Sequence, residues 1–143
     1  MMKLQVSAHE PVTNVITAVA QEAQSRGVAG ALVHDLKVIV DEIYANLKMH
    51  VAADNPELKW LLVVEVGVEC LDLVVEYPGP YFDPTNSKLM ADDTLGSRAD
   101  GGMGLHLISA LSDEFHYNYQ DGINTMIVRW NLKRDSKENL LCR

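Results

Sequence analysis

The sequence predicts an α+β fold, a two-layer α/β sandwich in which helices cover one face of a mixed, mostly antiparallel sheet. Three observations lead there. The elements read in the order β-α-α-β-β-loop-α-β-β. Two pairs of strand segments are joined by links short enough for hairpins, so neighbours should pair antiparallel. Strands do not alternate with crossover helices, which disfavours a doubly wound parallel sheet. At 143 residues the chain reads as one domain, 1–143, long enough to bury a core without staples.

Each element has a local reason. Met2 to Ala8 alternates, with Leu4 and Val6 set against Lys3, Gln5 and Ser7, and reads as a short strand. His9-Glu10-Pro11 breaks it, and Pro11 suits the first turn of a helix carried by Val15, Ile16, Val19 and Ala20 as far as Gly27. After Gly30 a second helix places Leu32, Leu36, Ile39, Val40, Ile43 and Leu47 on a wide apolar stripe. It should run to about Val51 before Asp54-Asn55-Pro56 stops it. Lys59 to Cys70 and Leu71 to Tyr77 are apolar, β-branched segments linked by a short turn, hence a hairpin. Pro78 to Gly101 has no periodicity and is long for a loop in a compact domain; such loops tend to be functional. Gly104 to Leu111 reads as a helix opened by glycines. Glu114 to Tyr119 and Met126 to Leu132 form a second hairpin about Gln120-Asp121-Gly122.

Composition excludes several functions. A formal net charge of −8 argues against a broad nucleic-acid surface, and the basic residues toward Arg143 are interrupted by acids. Cys70 and Cys142, far apart, give neither a disulfide framework nor a metal spacing. Met1 to Glu10 lacks the parts of a signal peptide, and no apolar run approaches the ~20 residues of a membrane span. The expectation is a cytoplasmic protein with no nucleic-acid or membrane partner.

The chemistry lies in three patterns. Glu42 and Asn46 stand i, i+4 on one helix face, with His50 one turn further. An Asn offers a neutral oxygen to a hard cation, and Mg²⁺ takes one or two protein ligands beside phosphate and water. A neighbouring Glu can receive a hydroxyl proton. The alternative is a solvated helix face. Gly79-Pro80-Tyr81-Phe82-Asp83-Pro84 follows, and then Gly101-Gly102-Met103-Gly104, where small residues opening a helix suit the approach of an anion. Read alone, that run is equally a plain turn and helix start. Arg98, three residues earlier, could pair with a phosphate or simply be solvated.

Together these motifs resemble the nucleotide-binding fold shared by gyrase-type topoisomerases, histidine kinases and the MutL group, and within it the bacterial anti-sigma-factor serine kinases. Val40 to His50 matches the first motif of that branch, Phe82-Asp83-Pro84 the end of the second, and Gly101 to Ile108 the third. Asp113-Glu114 and Gly122-Ile123-Asn124-Thr125 match its closing strands, so the resemblance covers nearly the whole chain. It implies ATP and Mg²⁺ as cofactors, Asn46 as the metal ligand, and Glu42 as the catalytic residue that orients or deprotonates a serine. Gly101, Gly102 and Gly104 would clasp phosphates, with Gly79 and Asp83 in the second motif, Arg98 as a phosphate-sensing cation and Thr125 near the base. Residues 84–101 would be a lid. The partner would be a sigma factor or an anti-sigma antagonist, and the exposed first strand suits a homodimer.

One motif departs. The family reads Asp-x-Gly-x-Gly-Phe-Asp-Pro; this chain has Tyr77 for the first Asp, which contacts the adenine amino group, and Tyr81 for the second Gly. Glu76 is adjacent, but one step along a strand points to the opposite face. The departure favours an alternative: a docking module of the same fold that has lost the nucleotide. A different ligand in the reshaped pocket is a third.

Overall fold

In the computed structural model, residues 1–83 and 102–132 are described, without the side chains of 102–105. Strand β1 (Met2–Ser7) is followed by helices α1 (Val12–Ser25) and α2 (Gly30–His50), strands β2 (Lys59–Val66) and β3 (Cys70–Pro78), helix α3 (Gly102–Leu111), and strands β4 (Glu114–Gln120) and β5 (Ile123–Asn131). The five strands form one sheet in the order β1-β2-β3-β5-β4, and all four described pairings are antiparallel. β1 is therefore an edge, as expected of an exposed first strand.

Chain reversals follow from single residues. After α1, Gly27 takes φ +79, and the N–H groups of Gly27 and Val28 donate to the carbonyls of Gln24 and Ala23, which satisfies the helix end. Between β4 and β5, Asp121 and Gly122 both have positive φ, the two-residue turn whose twist matches an antiparallel pair. At the other hairpin the Gly67 N–H donates to the Cys70 carbonyl.

Alternation then decides which side chains meet the helices. Leu71, Leu73, Val75 and Tyr77 of β3 are buried, as are Asn124, Met126, Val128 and Trp130 of β5. They pack against Val33, Leu36, Ile39, Val40, Ile43 and Leu47 of α2 in one core. Both tryptophans are in it. Trp60 meets Tyr44 edge-on at 5.7 Å, and the Trp130 indole N–H donates to the Leu111 carbonyl at 2.7 Å, tying the end of α3 to the sheet. On the other face Arg129 makes a bidentate pair with Asp72, at 2.7 and 2.9 Å.

Two expectations need correction. β5 begins at Ile123, three residues before the strand read from Met126, because Asn124 is held by buried hydrogen bonds rather than lying in the turn. Cys70 is disulfide-bonded, against the expectation of no disulfide; the chain's other cysteine, Cys142, lies outside the described residues.

Candidate functional site

Asn46 sits on the core-facing side of α2 and is 3% exposed. Its Nδ2 donates to the main-chain carbonyl of Glu42 at 2.7 Å. Because that partner is an acceptor, the atom facing it must be the nitrogen, which leaves Oδ1 as the other end of the amide. Oδ1 is buried and has no hydrogen-bond partner. A buried carbonyl oxygen left unpaired costs about 1–3 kcal/mol, so such an atom calls for an explanation. A hard cation supplies one. Among the described residues no group of three His, Cys, Asp or Glu could hold a metal alone. A cation at Asn46 would therefore take its other ligands from phosphate and water, the usual habit of Mg²⁺. Removing the oxygen should relieve the fold: we expect Asn46→Ala without ligand to melt no lower than wild type in a thermal denaturation scan, despite losing a buried side chain.

Glu42 lies one turn before Asn46, half-buried, and its carboxylate has no hydrogen bond or ion pair among the described residues. Burial, and secondarily the Asp41 charge, push its carboxyl above the ordinary 4.5. A carboxyl raised in the folded state favours its protonated form there, so the fold is relatively most stable below 4.5 and loses that increment as pH rises through the raised value. Glu42→Gln should accordingly gain in melting temperature relative to wild type between acid and neutral pH, by a few degrees at most. A difference independent of pH would contradict the assignment.

His50, a further turn along, stacks on Phe82 at 5.8 Å with 24° between the rings. That contact joins the end of α2 to the segment after β3. Between the two lies a cleft of about 320 Å³ whose walls include His50, Val51, Gly79, Tyr81 and Phe82, but neither Glu42 nor Asn46.

The segment 78–83 is stitched to the sheet. Tyr77 is fully buried, and its hydroxyl donates to the Phe82 carbonyl at 3.0 Å. Burial raises the phenol well above its ordinary range, so it remains a donor. Asn124, also fully buried, uses both ends of its amide. Nδ2 donates to the carbonyls of Pro80 and Tyr77, at 3.1 and 3.4 Å; Oδ1 accepts from the Phe82 N–H at 3.1 Å and from the Tyr117 hydroxyl. Gly79, at φ +134, donates to the Gly122 carbonyl and accepts from the Tyr119 hydroxyl. Tyr81 stands 58% exposed, edge-on to Tyr117 and Tyr119, and its hydroxyl donates to Asp83 at 3.2 Å.

Residues 6–130 match the family described as the histidine kinase-like ATPase domain. The chain belongs to that family. Its resemblance to the anti-sigma kinase branch is matched by a similarity to the serine-protein kinase RsbW of Bacillus licheniformis, 27% identical over 104 residues, covering 68% of this chain. The match spans 65% of that relative's own length. A chain in the crystal structure of the SiaB-SiaC complex from Pseudomonas aeruginosa shares the fold, with a TM-score of 0.59 at 12% identity, covering 92% of this chain and 89% of that one.

Within this histidine kinase-like ATPase domain, the residues singled out from sequence fall in different places. Glu42 and Asn46 share one face of α2; Gly102 and Gly104 lie in the first turn of α3, which packs against α2. Gly79 and Asp83 belong to the stitched segment. Thr125 pairs with Glu76 at the same end of the sheet but on the face opposite the helices, so it is not brought to the helix-facing side. Asn124 is the residue there instead. The strand read from Met126 stopped short of it, although its phase with Met126, Val128 and Trp130 was the available signal. Arg98, Gly101 and the lid at 84–101 lie outside the described residues. No helix of the described residues is long and apolar enough to cross a membrane.

Proposed function

We propose that this chain is an anti-sigma-type regulator that binds ATP·Mg²⁺ and phosphorylates a serine on an antagonist protein. The observation that carries this reading is the buried, unpaired Asn46 Oδ1 one helical turn from Glu42. The family membership and the similarity to a serine-protein kinase support it. The bound nucleotide would supply the γ-phosphoryl group, with the metal offsetting charge on its oxygens.

The chain's own residues have distinct tasks. Asn46 would hold the metal through Oδ1, and the Nδ2 bond to the Glu42 carbonyl keeps that oxygen in place. Glu42 receives the serine hydroxyl proton as the new Oγ–P bond forms and ADP departs. Its raised carboxyl makes it a better base than an exposed glutamate. Gly102 and Gly104, in the first turn of α3, would clasp the phosphates, a role that the resemblance extends to Gly101 and Arg98. The partner is a sigma factor or its antagonist, in the cytoplasm, and the β1 edge offers a surface for a homodimer.

A second reading has its own support: the self-satisfied end formed by Tyr77, Phe82, Tyr117 and Asn124 suits a docking module without nucleotide. Transfer of γ-³²P from ATP·Mg²⁺ to proteins of a cell extract from the source organism, followed by phosphoamino-acid analysis, separates the two. Label on serine that appears only with added protein supports the kinase. A folded protein that transfers nothing supports the docking module.

A further inference from the structure

We propose that the cleft beside Phe82 is a docking site for an arginine side chain of a partner protein, and that it serves the partner whether or not a nucleotide binds at Asn46. The cleft, about 320 Å³, is at the small end of ligand pockets and suits one long side chain. Neither Glu42 nor Asn46 lines it; His50 and Phe82, whose rings stack at 5.8 Å, do. So does Tyr81, the residue that stands where the family pattern has a glycine. Both sides are fixed before a ligand arrives, which lowers the cost of binding. On one side Asn124 donates to the Pro80 carbonyl, and the Phe82 N–H donates to Asn124 and Tyr117. On the other, the turn after α2 is closed by the Asn55 N–H on the Ala52 carbonyl and by the Leu58 N–H on the Asn55 carbonyl.

The lining chooses the occupant. Rings and prolines supply apolar walls, and Asp54 is the one acid among the described lining residues, with no lysine or arginine beside it. Its carboxylate is exposed and makes no hydrogen bond or ion pair among the described residues. A carboxylate bordering an aromatic-walled cleft selects a cation with a flat body. Guanidinium meets each demand: it stacks on ring faces, pairs with a carboxylate through two parallel bonds, and is weakly hydrated. A lysine ammonium is more strongly hydrated and lacks the matching fork. Tyr81 stands 58% exposed, so its ring is open to such a contact. The formal net charge of −8 favours encounter with a basic partner surface.

The test is an NMR titration of the isotope-labelled full chain with acetyl-Ala-Arg-Ala-amide, and with the same peptide carrying citrulline, the neutral isostere of arginine. The arginine peptide should give saturable shifts centred on the amides of residues 50–55 and 79–82, and the citrulline peptide should bind about tenfold more weakly. Asp54→Asn should bring the arginine peptide down to the citrulline level in a protein that still folds, since the carboxylate has no structural partner to lose. Tyr81→Ala should weaken the arginine peptide by about threefold. Equal binding of the two peptides, shifts centred elsewhere, or no saturable shift overturns the inference and leaves the nucleotide reading untouched. Adenosine saturating the same amides while the arginine peptide does not would give the cleft to a nucleobase, and overturns it as well.

Discussion

Glu42→Gln should lower phosphotransfer to the partner serine by about 10²–10⁴-fold while leaving the dissociation constant for ATP·Mg²⁺ within about threefold of wild type. The amide keeps the size and polarity of the side chain but cannot take up the serine proton. Glu42 also has no structural partner to lose, since its carboxylate makes no hydrogen bond or ion pair among the described residues, and the contact that orients Asn46 comes from its main-chain carbonyl. Single-turnover rates with labelled ATP, measured beside equilibrium binding, separate the two quantities. Equal rates for wild type and variant would remove Glu42 from the chemistry. A matched loss of affinity would make it a binding group instead.

The second large effect is on stability. Asn124→Ala should destabilise the fold by roughly 3–4 kcal/mol, lowering the melting temperature by about 10 °C. The side chain is fully buried, and its removal leaves the Phe82 N–H, the Tyr117 hydroxyl and the Pro80 carbonyl without this partner. Thr125→Ala, one residue on but on the opposite face, should change stability by less than about 1 kcal/mol. Thermal or urea denaturation of the two variants measures the contrast. Comparable losses at 124 and 125 would mean that the described register is wrong.

That contrast also marks how far the sequence could be read. Helix α2 was legible because its apolar stripe is wide and its stop, Asp54-Asn55-Pro56, is strong. The β4–β5 hairpin was legible because Asp-Gly supplies both positive-φ residues of its turn. The pairing of Glu42 with Asn46 follows from helical spacing alone. Less local facts were not legible. Asn124 is polar and next to a turn, and only its long-range partners, Tyr77 and Phe82, show that it belongs to the sheet. The sequence showed that Tyr77 replaces an acid, but not that its hydroxyl closes on the Phe82 carbonyl. That bond depends on how the segment after β3 turns back, which no periodicity encodes. The unpaired Asn46 Oδ1 likewise emerges only once every neighbour is placed.

The most direct measurement is the melting temperature of wild type and Asn46→Ala with millimolar ATP, with Mg²⁺ or with EDTA. A ligand at 100 times its dissociation constant adds about 2.7 kcal/mol, a shift of several degrees in a domain of this size. That shift is expected for wild type with Mg²⁺, little of it in EDTA, and none in Asn46→Ala. A folded wild type that does not respond, or an Asn46→Ala variant that responds equally, would contradict it.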